Sequence, residues 1–218
     1  MGEMIDIFND RYEYLGTAGK KEAHAKGLWH RVFTCLIFSG DKRTMFLQRK
    51  RPNIYAFNRP DYMDISVGGH YEAGEDIASG IRELYEETGL TNVEFQDLIP
   101  IGIRQTAATI SENYIANEFQ HIFLLEYNGN PQNLVRPDDE VDGFVEVGIT
   151  DVIKLLLHQT ESITGNSFTC KDNTVISEPM PITLSSFVPG YLKIDQFMLR
   201  LALAANRYIK DPTDCIFW

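Results

Sequence analysis

Gly68-Gly69-His70-Tyr71-Glu72-Ala73-Gly74-Glu75 and, six residues later, Arg82-Glu83-Leu84-Tyr85-Glu86-Glu87-Thr88-Gly89-Leu90 form the stretch whose reading decides the fold. Residues 63–67, just before it, read as a strand. Residues 77–88 read as a helix, because Ile77, Ile81, Leu84, Tyr85 and Thr88 follow the i, i+4, i+7, i+8, i+11 spacing of a buried stripe. Asp76 suits the N-cap and Gly89 the C-cap. Gly68, Gly69 and Gly74 stand where a strand must turn into that helix, and they permit unusual backbone angles and close ligand approach. Gly80 costs the helix about 1 kcal/mol relative to alanine. It marks either the close approach of another backbone or a tolerated accident.

Glu83 precedes Glu86 by three residues and Glu87 by four, so the three carboxylates share a helix face. Carboxylates that close repel one another and need compensation. The apolar stripe runs along another side. Hard oxygen donors in such a group suit Mg²⁺ or Mn²⁺, and Arg82 could neutralise and orient one of them. Taken alone, the same acids also describe a solvated helix face. The glycines upstream tilt the reading toward a ligand site.

Working outward, residues 5–8 with a turn near Gly16 read as an edge strand or hairpin, and 20–26 as a short helix or loop. Residues 29–38 and 44–49 read as partner strands across Ser39-Gly40-Asp41. Residues 52–60, rich in Asn and Pro, read as a loop whose Tyr55 and Phe57 could form a lid or pack locally. Residues 93–104 and 119–127 read as strands joined by a polar connection, 144–147 as a short strand, and 151–158 and 191–208 as helices; 163–175 is ambiguous. Strands on both sides of a helix, with hairpin-like joins, imply an α+β arrangement, a mixed sheet sandwiched between helices, over a doubly wound sheet.

The chain has 218 residues, enough for one well-buried core, with 44% apolar and 23% charged residues. It carries a formal net charge of −11, and its one compact basic run is Gln48-Arg49-Lys50-Arg51, which argues against nucleic acid as a partner. No eighteen-residue apolar segment suggests a membrane span, and the start shows no signal-peptide core, so the cytoplasm is the expected compartment. Cys35, Cys170 and Cys215 lie far apart with no metal-type spacing or disulfide framework, and Cys35 reads as buried packing. An acidic protein that handles a phosphate ester would be repelled by its own substrate, and a divalent cation is the usual remedy.

Together these residues resemble the Nudix box, G-x5-E-x7-R-E-U-x-E-E-x-G-U, where U is a bulky aliphatic residue. Gly69 and Glu75 match its first half and 82–90 its whole second half, but six residues separate Glu75 from Arg82 where the pattern has seven. Leu28-Trp29-His30-Arg31, Leu47-Gln48-Arg49 and the run from Asp64 to His70 look like the Nudix branch similar to isopentenyl-diphosphate isomerase. The resemblance covers roughly residues 1–148, and 149–218 is expected to be a helical extension on the same domain. It implies hydrolysis of a phosphoanhydride in a small diphosphate, such as a nucleoside diphosphate derivative, by metal-activated water. Glu83, Glu86 and Glu87 would be ligands of Mg²⁺ or Mn²⁺ and Arg82 would belong to the catalytic group. The carbonyl of Gly68 or Gly69 would complete the shell and Glu118 would add a later ligand, unless it is a strand-end surface charge. Arg49, Lys50 and Arg51 could grip the diphosphate, unless they mark an exposed strand end, with His70 and Glu75 as further substrate-side or supporting groups. A homodimer is one expectation; the C-terminal region could equally cover the site or complete the core.

Two rivals remain within the resemblance. An isomerase would use a cysteine and a glutamate near a His-rich metal site, and His24, His30, His70 and Glu118 could imitate part of that site. Yet Gly68 stands where such a cysteine is expected, Cys35 lies on another strand, and the second half of the box is intact. A non-catalytic domain that senses a nucleotide would commonly have lost box glutamates, which this chain keeps.

Overall fold

Strand β3 (Trp29–Ser39) is apolar on both faces, and the protein is built on its two sides. The computed structural model describes residues 2–51, 62–135, 141–172, 174–188 and 194–213. The expected loop with Tyr55 and Phe57, the start of the expected last helix at 191–193, and Cys215 lie outside the described residues. Inner-face alternation is clear: Leu36 and Phe38 join one core, Phe33, Cys35 and Ile37 the other. The same alternation runs through β4 (Thr44–Lys50), β8 (Tyr114–Glu126) and β9 (Val141–Gly148). One core is covered by α3 (Ile149–Leu156) and α4 (Phe197–Lys210), the other by α2 (Ile81–Thr88). This is the α+β, helix–sheet–helix sandwich that the pattern implied.

The sheet runs β11-β10-β9-β4-β3-β1-β2, where β1 is Met4–Phe8, β2 Tyr14–Gly19, β10 Ile163–Lys171 and β11 Thr174–Ile182. β8 pairs with β3 in parallel, so the sheet is mixed, and β7 (Ile99–Ser111) pairs with β8. β3 and β4 pair only over Ile37–Ser39 and Thr44–Phe46 and then separate. Past that point β4 pairs with β5 (Met63–Asp64) and β3 with β6 (Val67–His70). Ser66 bridges the fork, its Oγ accepting from Ile37 N at 2.8 Å and donating to the Phe46 carbonyl. The expected single strand over 63–67 is therefore two strands, each serving a different branch.

Other differences have local causes. The first hairpin turns at residues 9–13, not at Gly16: the Asn9 side chain accepts from the Arg11 and Glu13 backbones, and Tyr12 takes a positive φ. The polar stretch read as a connection after Arg104 is strand, and β7 and β8 form one long hairpin. Its polar residues line a cavity, which is why they lack the alternation of a half-buried strand. The ambiguous 163–175 segment falls in the β10–β11 hairpin, so the residues past 148 bring strands as well as helices, and β10 continues the sheet on β9. Among the described residues no helix is long and apolar enough to cross a membrane.

The helix expected at 77–88 begins as a 3-10 turn, Ala78–Gly80, before α2, and Asp76 accepts from Ser79 N at 2.8 Å as a cap. Gly89 closes α2 with φ 73°. A Cβ on Gly80 would lie 2.5 Å from the buried Tyr71 ring, so the close neighbour is a side chain and not a backbone. Gly80→Ala should therefore not stabilise the helix by about 1 kcal/mol, as propensity alone implies. It should cost about 1–3 kcal/mol, since the ring has nowhere to move. Denaturant unfolding of the variant decides between the two signs.

Candidate active site

Two groups of donors meet along β6. Its three C-terminal residues serve different sides. Gly68 N donates to Glu87 Oε2 at 3.2 Å; the missing Cβ of Gly69 leaves room for the Glu83 carboxylate; the His70 ring joins a histidine cluster. A strand alternates its side chains, so Gly69 and His70 face opposite sides, while Gly68 reaches Glu87 through its backbone N–H.

The first group lies on α2. Glu87 is buried, and both of its donors, Gln48 Nε2 at 2.9 Å and Gly68 N, converge on Oε2. Glu87 thus spans the fork between β4 and β6. Burial pushes its carboxyl up to about 8, against the pull of Lys50 and with a further push from Glu83. Burial likewise pushes Glu83 up to about 7, opposed by Arg82 and reinforced by Glu86. Glu86 is the exposed member. Arg82 ties the group together: Nη1 donates to Glu86 at 2.9 Å, Nε to Glu75 at 3.1 Å, and Nη2 lies 3.1 Å from Glu83 Oε1 and donates to the His70 carbonyl. A buried acid, a partly buried one and an exposed third, the last two gripped by Arg82, form an oxygen-rich set that suits a hard divalent cation.

Glu75, expected as a substrate-side or supporting group, accepts from Arg82 and from the Glu72 backbone at 2.7 Å. The one-residue shortfall before Arg82 is taken up by the turn. Gly74 adopts φ 85°, the chain tightens into the 3-10 turn, and Glu75 still reaches the arginine. Arg49 and Arg51, expected either to grip diphosphate or to mark an exposed strand end, make contacts within the fold. Arg49 pairs with Asp142 at 3.2 Å, and Arg51 Nε donates to the Val141 carbonyl at 3.3 Å. Lys50, between them in sequence, is the basic residue of this run that lines the cavity, 3.6 Å from Asp64. Strand alternation around Gln48 contains that information, but the run of three basic residues hides it.

The second group lies on the sheet face of α3 and α4. His24 from α1 (Lys20–Lys26), His30 from β3, His70 and Glu118 from β8 place one ligand atom each within 4.8 Å of one another. The register explains the meeting, since His30 lies opposite Glu118 and Val32 opposite His70. His24 Nδ1 donates to the Ile115 carbonyl at 3.2 Å and His30 Nδ1 to the Leu28 carbonyl at 2.8 Å. A carbonyl only accepts, so both rings are left with Nε2 as a lone pair. His30 Nε2 is buried and unpartnered. Burial lowers the pKa of all three histidines, keeping them neutral, and raises that of Glu118. Three neutral imidazoles with an orphaned buried nitrogen fit a transition-metal ion such as Zn²⁺, Mn²⁺ or Co²⁺. Glu118 is thus a buried member of the histidine cluster and not a strand-end surface charge, and His70 is a donor there.

The cluster opens on a cavity of about 1190 Å³ lined by Lys20, Lys50, Asp64, Arg104, Gln120 and Phe197 among others. A family model for the NUDIX domain matches residues 28–165. The chain belongs to the Nudix family. An uncharacterized Nudix hydrolase of Clostridium acetobutylicum is 31% identical over 166 residues, 76% of this chain and 80% of that one. An isopentenyl-diphosphate Delta-isomerase of Serratia proteamaculans is 29% identical over 133 residues, 61% of this chain and 70% of that one. A Nudix-like fold is shared with a Deinococcus radiodurans crystal structure at TM-score 0.54 and 20% identity, covering 72% of this chain and 90% of that one.

Without metal, this Nudix chain holds protons on Glu83 and Glu87 up to about pH 7 and about pH 8, whereas an unperturbed glutamate releases its proton near 4.5. The folded state binds more protons across that window. The stability these groups contribute is therefore full below about 4.5 and is lost as pH rises through about 7 to 8. Glu87→Gln, fixed in the neutral form, should gain stability relative to wild type as metal-free melts move from about pH 5.5 to about pH 9. Mg²⁺ should raise the wild-type midpoint most at the alkaline end, where no proton need be displaced. Parallel melting curves with and without Mg²⁺ check both trends.

Proposed function

We propose that the chain is a divalent-metal-dependent Nudix pyrophosphohydrolase that cleaves a phosphoanhydride bond in a small diphosphate, with nucleoside diphosphate derivatives as the first class to test. The observation that carries the reading is the complete acidic set on α2. Glu87 is buried and Glu83 partly buried, both with raised pKa values, Glu86 is exposed beside them, and Arg82 clamps all but Glu87. When Mg²⁺ or Mn²⁺ is bound there, it supplies charge neutralisation and lowers the pKa of a water. The residues of the chain supply the rest. Gln48 and Gly68 both bond Oε2 of Glu87 and so fix the direction of its carboxylate. Arg82 sets the spacing of Glu83 and Glu86, and Lys20 and Lys50 on the cavity wall offer positive charge to phosphate oxygens.

The histidine cluster favours one second reading, an isomerase acting on isopentenyl diphosphate, as the Serratia relative does by name. Moving a double bond needs an acid and a base on the two sides of the substrate. Gly68 offers neither, and Cys35 is fully buried in the core under α2, where burial pushes its thiol far above the ordinary range. Hydrolysis is therefore the reading supported best.

The test is a panel of nucleoside diphosphate derivatives, nucleoside triphosphates, dinucleoside polyphosphates and isopentenyl diphosphate, with Mg²⁺ or Mn²⁺ and product analysis. Wild type should release phosphate or pyrophosphate-containing products from one class. Glu86→Gln and Glu87→Gln should each lower the rate by roughly a hundredfold or more. Turnover of no diphosphate, or turnover indifferent to both substitutions, overturns the reading; rearrangement without hydrolysis transfers it to the isomerase.

A further inference from the structure

Glu118 is the one acidic member of the histidine cluster, and its side chain is not free to choose its direction. Its Oε2 accepts from Gln120 Nε2 at 2.6 Å, and its Oε1 lies 4.0 Å from His30 Nε2. Gln120 Oε1 in turn accepts from Arg104 Nη1 at 2.7 Å. A guanidinium only donates and a carboxylate only accepts, so the Gln120 amide can sit one way round: carbonyl toward Arg104, NH₂ toward Glu118. Arg104 is itself fixed. Its Nε and Nη2 meet the two oxygens of Asp195 at 2.8 and 2.9 Å, and its guanidinium lies 4.3 Å from the centre of the Phe197 ring. Arg104, Gln120 and Glu118 are each less than a tenth exposed. The sheet register puts Arg104 directly across from Gln120, so the link between the strands is built into the β7–β8 pairing.

We infer that Asp195 and Arg104, acting through Gln120, are positioning residues that aim Glu118 into the histidine cluster as a metal ligand. The inference rests on reading that cluster as a metal site. Every link runs in one direction, from a carboxylate just ahead of α4 to the oxygen left open beside His30. A residue more than seventy positions beyond Glu118 in the chain thereby sets the geometry of the ligand sphere. Partners of this kind commonly change metal affinity ten- to hundredfold when removed.

The test titrates Co²⁺ into the full-length protein in excess Mg²⁺, which occupies the oxygen donors of α2 and leaves the imidazoles to cobalt. Binding is read from the visible absorption of Co²⁺ and from calorimetry, and the fold of each variant from circular dichroism and melting. Gln120→Leu removes the link without touching the Arg104–Asp195 pair, so it is the variant that decides if Asp195→Asn fails to fold. The expected result is Co²⁺ binding weakened about tenfold or more in Gln120→Leu and Asp195→Asn, with an altered absorption band. Asp195→Glu should recover binding in part. Unchanged affinity and band in a folded Gln120→Leu, with binding abolished by His30→Asn, overturns the relay and leaves the site standing. A wild type whose Co²⁺ binding ignores His30→Asn overturns the relay and the histidine site together, leaving the reading of the α2 glutamates untouched.

Discussion

The separation of β3 from β4 is the constraint on which the site depends. Two strands that stayed paired along their length would close the sheet over the place where Glu87 meets Gln48 and Gly68. They part after a short ladder, each takes a new partner, and a single serine hydroxyl satisfies backbone groups on both sides of the fork. Buried backbone polar groups must find partners. Ser66 at the branch point and Glu87 beyond it are the side chains seen to bridge the two branches. The carboxylate that bridges them is also the most strongly perturbed acid of α2. Architecture and reactivity thus come from one arrangement, a buried oxygen held between two diverging strands.

The acidity of the chain as a whole is handled locally. Formal charge is −11, yet three of the cations around the cavity stand beside a carboxylate: Lys20 by Glu3, Lys50 by Asp64, Arg104 by Asp195. A wall of paired charges presents direction without a large net field. The two donor groups differ in hardness, with oxygen donors on the α2 side and imidazole nitrogens on the other. β6 belongs to both, since consecutive residues of it point to one group and then the other.

Much of this was legible in the chain. The spacing of Glu83, Glu86 and Glu87 on one helix face, the alternation in β3 and the capping at Asp76 and Gly89 are local patterns with local causes, and the family follows from them. The polar inner residues of β7 and β8 were not legible as strand. Alternation signals a half-buried strand only where the inner face is apolar, and here that face lines a cavity. The placing of Arg49 and Arg51 is hidden for a related reason. Their neighbour Lys50 shares the side of Gln48, but pairing with Asp142 and Val141 is decided by a strand ninety or more residues away. Glu75 could be assigned to Arg82 only once the turn between them was seen to absorb the short spacing. The partnership of Asp195 with Arg104 left no mark that sequence periodicity could show.

That turn says where this fold tolerates a change in length. A residue can be lost between Glu75 and Arg82 because the turn and 3-10 segment ahead of α2 draw the chain in, and a flexible guanidinium re-establishes the connection from the helix side. The same loss within Val67–His70 would exchange the two faces of the strand. It would send a histidine toward α2 and an empty glycine toward the imidazoles, dismantling both donor groups at once. Natural variation in chain length should therefore collect in the turn and be purged from the strand a few residues before it, although the two are neighbours in sequence and equally close to the chemistry.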